Sequence, residues 1–204
     1  MLLANNIYFK RENKIILKEV NIILPPKKII HLLGKNGAGK TTLLKILTNI
    51  IEPETGEIFW NGKNIKHNPF KLYKDTTFIM DQQSASNTLT VEENIIFWCK
   101  LFQSKINPQE VDSILELLRI HEYKKSPVNN LSYGEIKKLE LCRLIIERKK
   151  LWILDEPFIG LDNKSIDIIN ETIKNHAELG GMVIFTSHIS PNITNLDKIN
   201  LEND

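Results

Sequence analysis

The run Gly34-Lys35-Asn36-Gly37-Ala38-Gly39-Lys40-Thr41-Thr42 constrains this chain more than any other segment. It fits the pattern G-x-x-x-x-G-K-[ST], which cradles phosphate when a strand feeds into it and a helix leaves it. Both neighbours are legible. Before it, KIIHLLG (28–34) is a short apolar run closed by glycine, which predicts a buried strand. After it, from about Gly39 to Ile51, the residues Leu43, Leu44, Ile46 and Leu47 recur at helical spacing and predict an inward-facing stripe. Glycines let the backbone wrap closely, so that successive N–H groups can point at phosphate oxygens. The helix N-terminus adds a partial positive charge. Lys40 then supplies the full charge for the β- and γ-phosphates, and the Thr41 hydroxyl can ligate magnesium.

A second signal stands far downstream. LWILDEP (151–157) is an apolar run that stops at two carboxylates. An Asp-Glu pair after hydrophobic residues is in itself an ordinary strand end; its weight here comes from the phosphate loop. Asp155 is expected to hold magnesium and Glu156 to orient or deprotonate the attacking water, help worth roughly 10²–10⁴ in rate.

The remaining pattern places these motifs in one architecture. Ile7 to Phe9 and Ile15 to Leu24 read as strands closed by Pro25-Pro26, and GEIFWNGKNI (56–65) as a hairpin turning at Asn61-Gly62. The stretch 91–148 reads as mostly helical. Its last helix opens at Leu131-Ser132, with Ile136, Leu139 and Leu144 inward and basic residues marking the exposed side. A helix over 164–178 and a strand MVIFTSH (182–188) follow. Strands alternating with helices predict a mainly parallel sheet with ligands gathered where strands end. The chain is read as one domain over 1–204. Residues 1–80 and 150–204 form its α/β core, with an N-terminal antiparallel β subdomain; about 84–148 form an inserted helical lobe.

Composition removes several function classes. Lys and Arg total 27 against 25 Asp and Glu, a net charge of +2, which gives no reason to expect nucleic acid as a partner. No apolar run approaches the length of about 20 residues that a membrane span needs, and MLLANNIYFKRENK lacks the layout of a signal peptide. A cytosolic chain is expected. Cys99 and Cys142 have neither CxxC spacing nor a nearby histidine cluster, and read as reduced, packed thiols. His31, inside a predicted strand, reads as a core residue. His67, His121 and His176 read as solvated.

The motifs together resemble the ABC-transporter ATPases, a P-loop NTPase family. LSYGE (131–135), just upstream of the Asp155 strand, is similar to the family's LSGGQ signature. Gln82 resembles the Q-loop residue, with LTVEEN (89–94) at the expected distance after it; Gln83 is the neighbouring alternative. Leu161-Asp162 resembles the D-loop, and His188 the switch histidine. The resemblance covers nearly the whole chain and implies that two cassettes pack head to tail as a homodimer. Each ATP would then lie between one copy's phosphate loop and the other's Ser132 and Gly134, with Asp162 at the same interface. Gln82 would sense Mg2+ and the attacking water, and His188 would contact the γ-phosphate. Tyr133 and Glu135 depart from the family's Gly and Gln. The aromatic that usually stacks on adenine is expected near Tyr8 or Phe9, although strict spacing points to Lys10 or Arg11. Trp98 and Phe102 read as core residues, or as the lining of a groove for a membrane subunit.

The short stretch from Gln82 to Leu131 suits transporters and leaves no room for the coiled-coil insertion of chromosome-maintenance relatives. The nearest resemblance is to the cytochrome c biogenesis, or haem-exporter, ATP-binding subunits. It rests on LWILDEPF (151–158), Gly180-Gly181 before the last strand, and the Glu93-to-Trp98 stretch. That implies integral-membrane partners of the CcmB and CcmC type, a peripheral place on the cytoplasmic face of the inner membrane, and no direct contact with haem. LSYGE is also similar to branched-chain amino-acid importer ATPases, which makes a small-solute importer the alternative. A nucleotide-gated scaffold with little hydrolysis is a further one.

Overall fold

The computed structural model describes residues 1–201. In chain order the elements are β1 (Leu2–Arg11), β2 (Lys14–Leu24), β3 (Ile29–Leu33), α1 (Lys40–Leu47), β4 (Thr55–Trp60), β5 (Lys63–Asn64), α2 (Phe70–Asp75) and β6 (Thr76–Ile79). There follow α3 (Val91–Leu101), α4 (Pro108–Leu117), α5 (Tyr133–Glu147), β7 (Leu151–Leu154), α6 (Asn163–Glu178), β8 (Met182–Thr186) and β9 (Leu196–Asn200).

Two sheets organise them. One is antiparallel, in the order β2-β1-β4-β5; the other is β6-β7-β8-β3-β9, with every neighbouring pair parallel. The hairpin at Asn61-Gly62 forms as the sequence predicts: both residues take positive φ, 49° and 76°, as a two-residue turn with the right twist requires. The parallel sheet explains why its strands read as unbroken apolar runs, because both of its faces are covered. Ile29, Trp152, Leu154, Val183 and Phe185 face one core with α3, α5 and α6. Ile30, Leu32, Leu151, Ile153, Met182 and Ile184 face the other, against α1 and the antiparallel sheet. Strands β6 and β9 and helix α2 fall where the sequence pattern is too short or too polar to announce them. LDKIN (196–200) carries two charges in five residues, as an edge strand with an exposed side does.

The helical lobe is built by caps. Thr90 and Glu93 form a reciprocal capping box at α3, and Asn107 and Glu110 form another at α4, where Pro108 occupies the first turn. Helix α5 departs from expectation. Its basic residues do not all mark an exposed side, since Lys137 and Arg143 are buried with Glu140 and Glu147. Arg143 donates from Nε to Glu147 Oε1 at 2.7 Å and lies over the rings of Trp98 and Phe102. Glu147 in turn accepts from Thr77 Oγ1 at 2.7 Å, although burial pushes its carboxyl pKa up. A polar residue passes for surface in a sequence, but a paired network can be taken inside.

Candidate functional site

Four parallel strands deliver the candidate residues to one edge of their sheet. β3 runs into the phosphate loop, and Gly39 ends the loop at φ +92° as the N-cap of α1. A Cβ there would meet Ile16 Cγ2 and the Ile16 carbonyl oxygen at 2.9 Å, so β2 packs where no side chain fits. Lys40 is buried and turns its ammonium back onto the loop, donating to the Gly34 carbonyl at 2.7 Å and to that of Lys35 at 3.3 Å. These bonds hold its charge against the loop backbone.

β7 ends at Asp155 and Glu156. Asp155 is buried, and each of its carboxylate oxygens accepts a hydroxyl proton at 2.7 Å: Oδ2 from Thr41 and Oδ1 from Thr186. Glu156 stands at φ +49°, a left-handed conformation that costs a side-chain-bearing residue roughly 1–2 kcal/mol. Its surroundings hold it there. The Glu156 N–H donates to Thr186 Oγ1 at 2.9 Å; its Oε2 accepts from the His188 N–H at 3.2 Å, and Oε1 lies 3.4 Å from His188 Nε2. Glu156, His188, Asp155 and Thr41 thus meet at one place, although they lie just past β7, just past β8 and in the first turn of α1. Thr186 is the residue that sequence reasoning missed. The available signal was a threonine in the buried run MVIFTSH, since a fully buried hydroxyl must find partners.

The donor set suits a hard cation. Thr41 Oγ1 and Asp155 Oδ2 are two oxygens within 2.7 Å of each other, a hydroxyl and a carboxylate. Among the described residues no group of three or more His, Cys, Asp or Glu could hold a metal by itself. Magnesium fits such a place, because it takes one or two protein oxygens and completes its shell with water and substrate phosphates.

A second group gathers at the start of α5. Exposed Ser132 is its N-cap, accepting from the Glu135 N–H at 3.3 Å, while Glu135 Oε2 accepts from the Ser132 N–H at 2.7 Å. The glutamate in LSYGE therefore completes a capping box, a task Gln performs with the same geometry. Gly134 lies against Gly160, where a Cβ would collide with the Gly160 carbonyl oxygen. Tyr133 covers Gly160 and donates its hydroxyl to Asp81 Oδ1 at 3.0 Å. Asp162 caps α6 by accepting from the Ser165 N–H, and Lys138 reaches its other oxygen at 3.1 Å. Those two contacts, the Ser165 N–H first, push the Asp162 pKa down to about 2. Gln82 and Gln83 are exposed on the loop after β6.

Other expectations fall out as follows. A cleft of about 290 Å³ beside the phosphate loop is lined by Ile16, Leu17, Lys18, Ala38 and Leu201 among others; Tyr8, Phe9, Lys10 and Arg11 lie outside that lining. Phe9 packs on the second core, and Trp98 is buried beneath Arg143. Both cysteines are free thiols, Cys142 fully buried. His31 is a core residue stacked on Phe185, as expected. His176 is not solvated. Its ring stacks on Trp152 at a centroid distance of 3.6 Å, and burial pushes its pKa down to about 4. Helix position alone cannot reveal this, because the covering partner comes from β7.

Comparison with known proteins identifies the family and the fold. Residues 17–159 match the family model described as ABC transporter. A protein of Yersinia pestis named cytochrome c biogenesis ATP-binding export protein CcmA is 33% identical over 188 residues, which cover 92% of this chain and 86% of that protein. A protein of the same name from Dechloromonas aromatica is 32% identical over 193 residues, 95% of each chain. Among solved structures, the ATP-binding subunit of an ABC transporter superposes with a TM-score of 0.82 at 23% identity, covering 93% of this chain and 80% of the other. An ABC transporter ATP-binding protein from Pyrococcus furiosus superposes with a TM-score of 0.85 at 24% identity, covering 98% and 96%. At those identities the two structures establish the shared fold.

Proposed function

Because this chain belongs to the ABC transporter family, and within it to the cytochrome c biogenesis ATP-binding export proteins, we propose that it drives a membrane complex as one half of a cassette pair. The chain is an ATPase, converting ATP and water to ADP and phosphate. The observation that carries the proposed mechanism is the meeting of Thr41, Asp155, Glu156 and His188 at the end of the phosphate loop.

Residues 34–42 wrap the phosphates, and the Lys40 ammonium exchanges the Gly34 and Lys35 carbonyls for phosphate oxygens. Thr41 and Asp155 would hold Mg2+, which would supply positive charge against the phosphates. Glu156, aimed by its backbone and by His188, accepts the proton of the attacking water. His188, held beside Glu156, contacts the γ-phosphate in this reading. Exposed Ser132 and the N-terminus of α5 offer a hydroxyl and a positive helix end to the ATP of a second copy. Losing the γ-phosphate removes contacts on both sides, so hydrolysis opens the pair; the interface is the two-state element. Residues 1–80 and 150–204 act as the catalytic core, and about 84–148 as the lobe that presents the signature.

Among the described residues no helix is long and apolar enough to cross a membrane. Integral-membrane subunits of the CcmB and CcmC type would provide the path, with this chain docked on the cytoplasmic face of the inner membrane. Hydrolysis would power release of a haem-loaded chaperone, without contact between this chain and haem. The curated relatives compared bear the cytochrome c biogenesis name, which favours this role over a small-solute importer.

The test is to purify the chain with its co-expressed membrane subunits, identify them, and measure steady-state phosphate release. Release that requires Mg2+, from a complex containing cytochrome-maturation membrane proteins, is expected. A co-purifying small-solute permease would replace the proposed role, and absence of turnover would favour a nucleotide-gated scaffold.

A further inference from the structure

Helix α5 does more than present Ser132. Tyr133, Lys137 and Glu140 recur at i, i+4 and i+7, which places them on one helix face, and that face meets the loop after β6. Tyr133 donates to Asp81 Oδ1 at 3.0 Å. Glu140 accepts the N–H groups of Ser84 and Ala85 and the Ser84 hydroxyl, each at 2.6 Å. Arg143, one turn on, adds a bond from Nη1 to Ser84 Oγ at 3.2 Å and lies 3.6 Å from Glu140. The two ends of the segment 81–85 are thereby fastened to one rigid helix, and Gln82 and Gln83 are the unfastened residues between them. Lys137 lies under that gap. It is only 4% exposed, its Nζ makes no hydrogen bond among the described residues, and it lines a small cavity with Met80, Asp81, Gln82, Gln83, Tyr133 and Glu140.

We propose that Tyr133 and Glu140 are positioning residues that clamp the glutamine loop to the signature helix, with Lys137 as the buried donor beneath Gln82, so that Gln82 and Ser132 move as one body. The inference rests on the reading of Gln82 as the residue that meets magnesium and water. It assigns a purpose to two residues of α5 that depart from an ordinary helix surface. An aromatic hydroxyl in the third signature position reaches Asp81, which glycine could not do. A buried glutamate takes three donors from a loop that would otherwise leave them to water, and charge-assisted bonds of this kind are the strong ones. A second copy's nucleotide, by moving Ser132, would then move the first copy's Gln82 toward or away from its own nucleotide.

Tyr133→Phe and Glu140→Gln, made in the assembled membrane complex, test this. Tyr133→Phe is expected to lower kcat about tenfold while KM for ATP stays within about twofold, the loss of one hydrogen bond to a charged group. If Tyr133 acts through Gln82, the same substitution made in a Gln82→Ala background changes kcat by less than about twofold. An undiminished effect in that background overturns the proposal. Hydrogen exchange reads the clamp without reference to turnover: in Glu140→Gln the Ser84 and Ala85 amides should exchange about tenfold faster or more, and unchanged exchange overturns the clamp. A wild-type complex with no ATPase activity would strike the reading of Gln82 as a catalytic-loop residue. The exchange result would then decide the clamp by itself.

Discussion

The Thr41 hydroxyl donates to Asp155 Oδ2 across 2.7 Å, joining the first residue pair of α1 to the end of β7. Two motifs that lie far apart in the chain are therefore already in contact, and the oxygens assigned to magnesium are preorganised. Replacing Thr41 with Val keeps the shape and removes the oxygen. Hydrolysis should fall, and the Mg2+ concentration for half-maximal turnover should rise about tenfold, as expected for a lost ligand oxygen. Thr41→Ser should restore both. A magnesium titration of phosphate release reads the outcome, and an unmoved midpoint in Thr41→Val would remove Thr41 from the metal site.

Glu156→Gln isolates the water-activating role. The amide retains the left-handed backbone, the bond from its N–H to Thr186 and an acceptor for the His188 N–H. It lacks the basicity to take a proton. Turnover should drop by roughly 10²–10⁴, while ATP binding persists and ATP drives a stable pair detectable by size-exclusion chromatography. Hydrolysis at the wild-type rate would refute Glu156 as the base.

The geometry of this site was partly legible before any coordinates. Lys40, Thr41 and Asp155 follow from motif chemistry, because a phosphate needs backbone donors and magnesium needs hard oxygens whatever the fold. The hairpin at Asn61-Gly62 and the buried β3, β7 and β8 follow from turn residues and apolar runs. The buried threonine in MVIFTSH signals that it needs partners but not which ones, since Thr186 stands between Asp155 and Glu156 only through the pairing of β7 with β8. The buried basic residues of α5 escape the sequence for a related reason: Lys137 and Arg143 look solvent-facing until the loop after β6, Trp98 and Phe102 are laid against them. Sequence patterns report what one element prefers. Contacts between elements distant in the chain need the register of the sheet.

Glu135 can be separated from its neighbour Ser132 by stability. Ser132→Ala removes the acceptor for the Glu135 N–H and should cost about 1 kcal/mol, the usual worth of a serine N-cap. Glu135→Gln keeps the capping box and should change stability by less than about 0.5 kcal/mol. Urea unfolding of the two variants makes the comparison. A Glu135→Gln loss as large as that of Ser132→Ala would mean that the carboxylate's charge, and not its cap geometry, is what α5 uses.

His176 makes stability respond to acid. Its ring stacks on Trp152, and Gly181 sits so close that a Cβ there would collide with the imidazole. Burial favours the neutral form and brings the pKa from 6.5 to about 4. The folded chain thus binds its proton less readily than the unfolded chain. Above pH 6.5 neither state carries it and the contribution is whole; between pH 6.5 and 4 the unfolded state takes it up alone, and stability falls as pH falls. Allowing for partial exposure of the ring, the loss between pH 7 and 5 should be about 1–2 kcal/mol. Carboxylates elsewhere also lose stability in acid, so the informative quantity is the difference from His176→Phe, which keeps an aromatic ring on Trp152 and cannot titrate. Urea midpoints of the two proteins should converge toward pH 5, with the wild type losing more on the way. Parallel curves would show that the imidazole titrates as freely in the fold as in the unfolded chain, which its burial against Trp152 forbids.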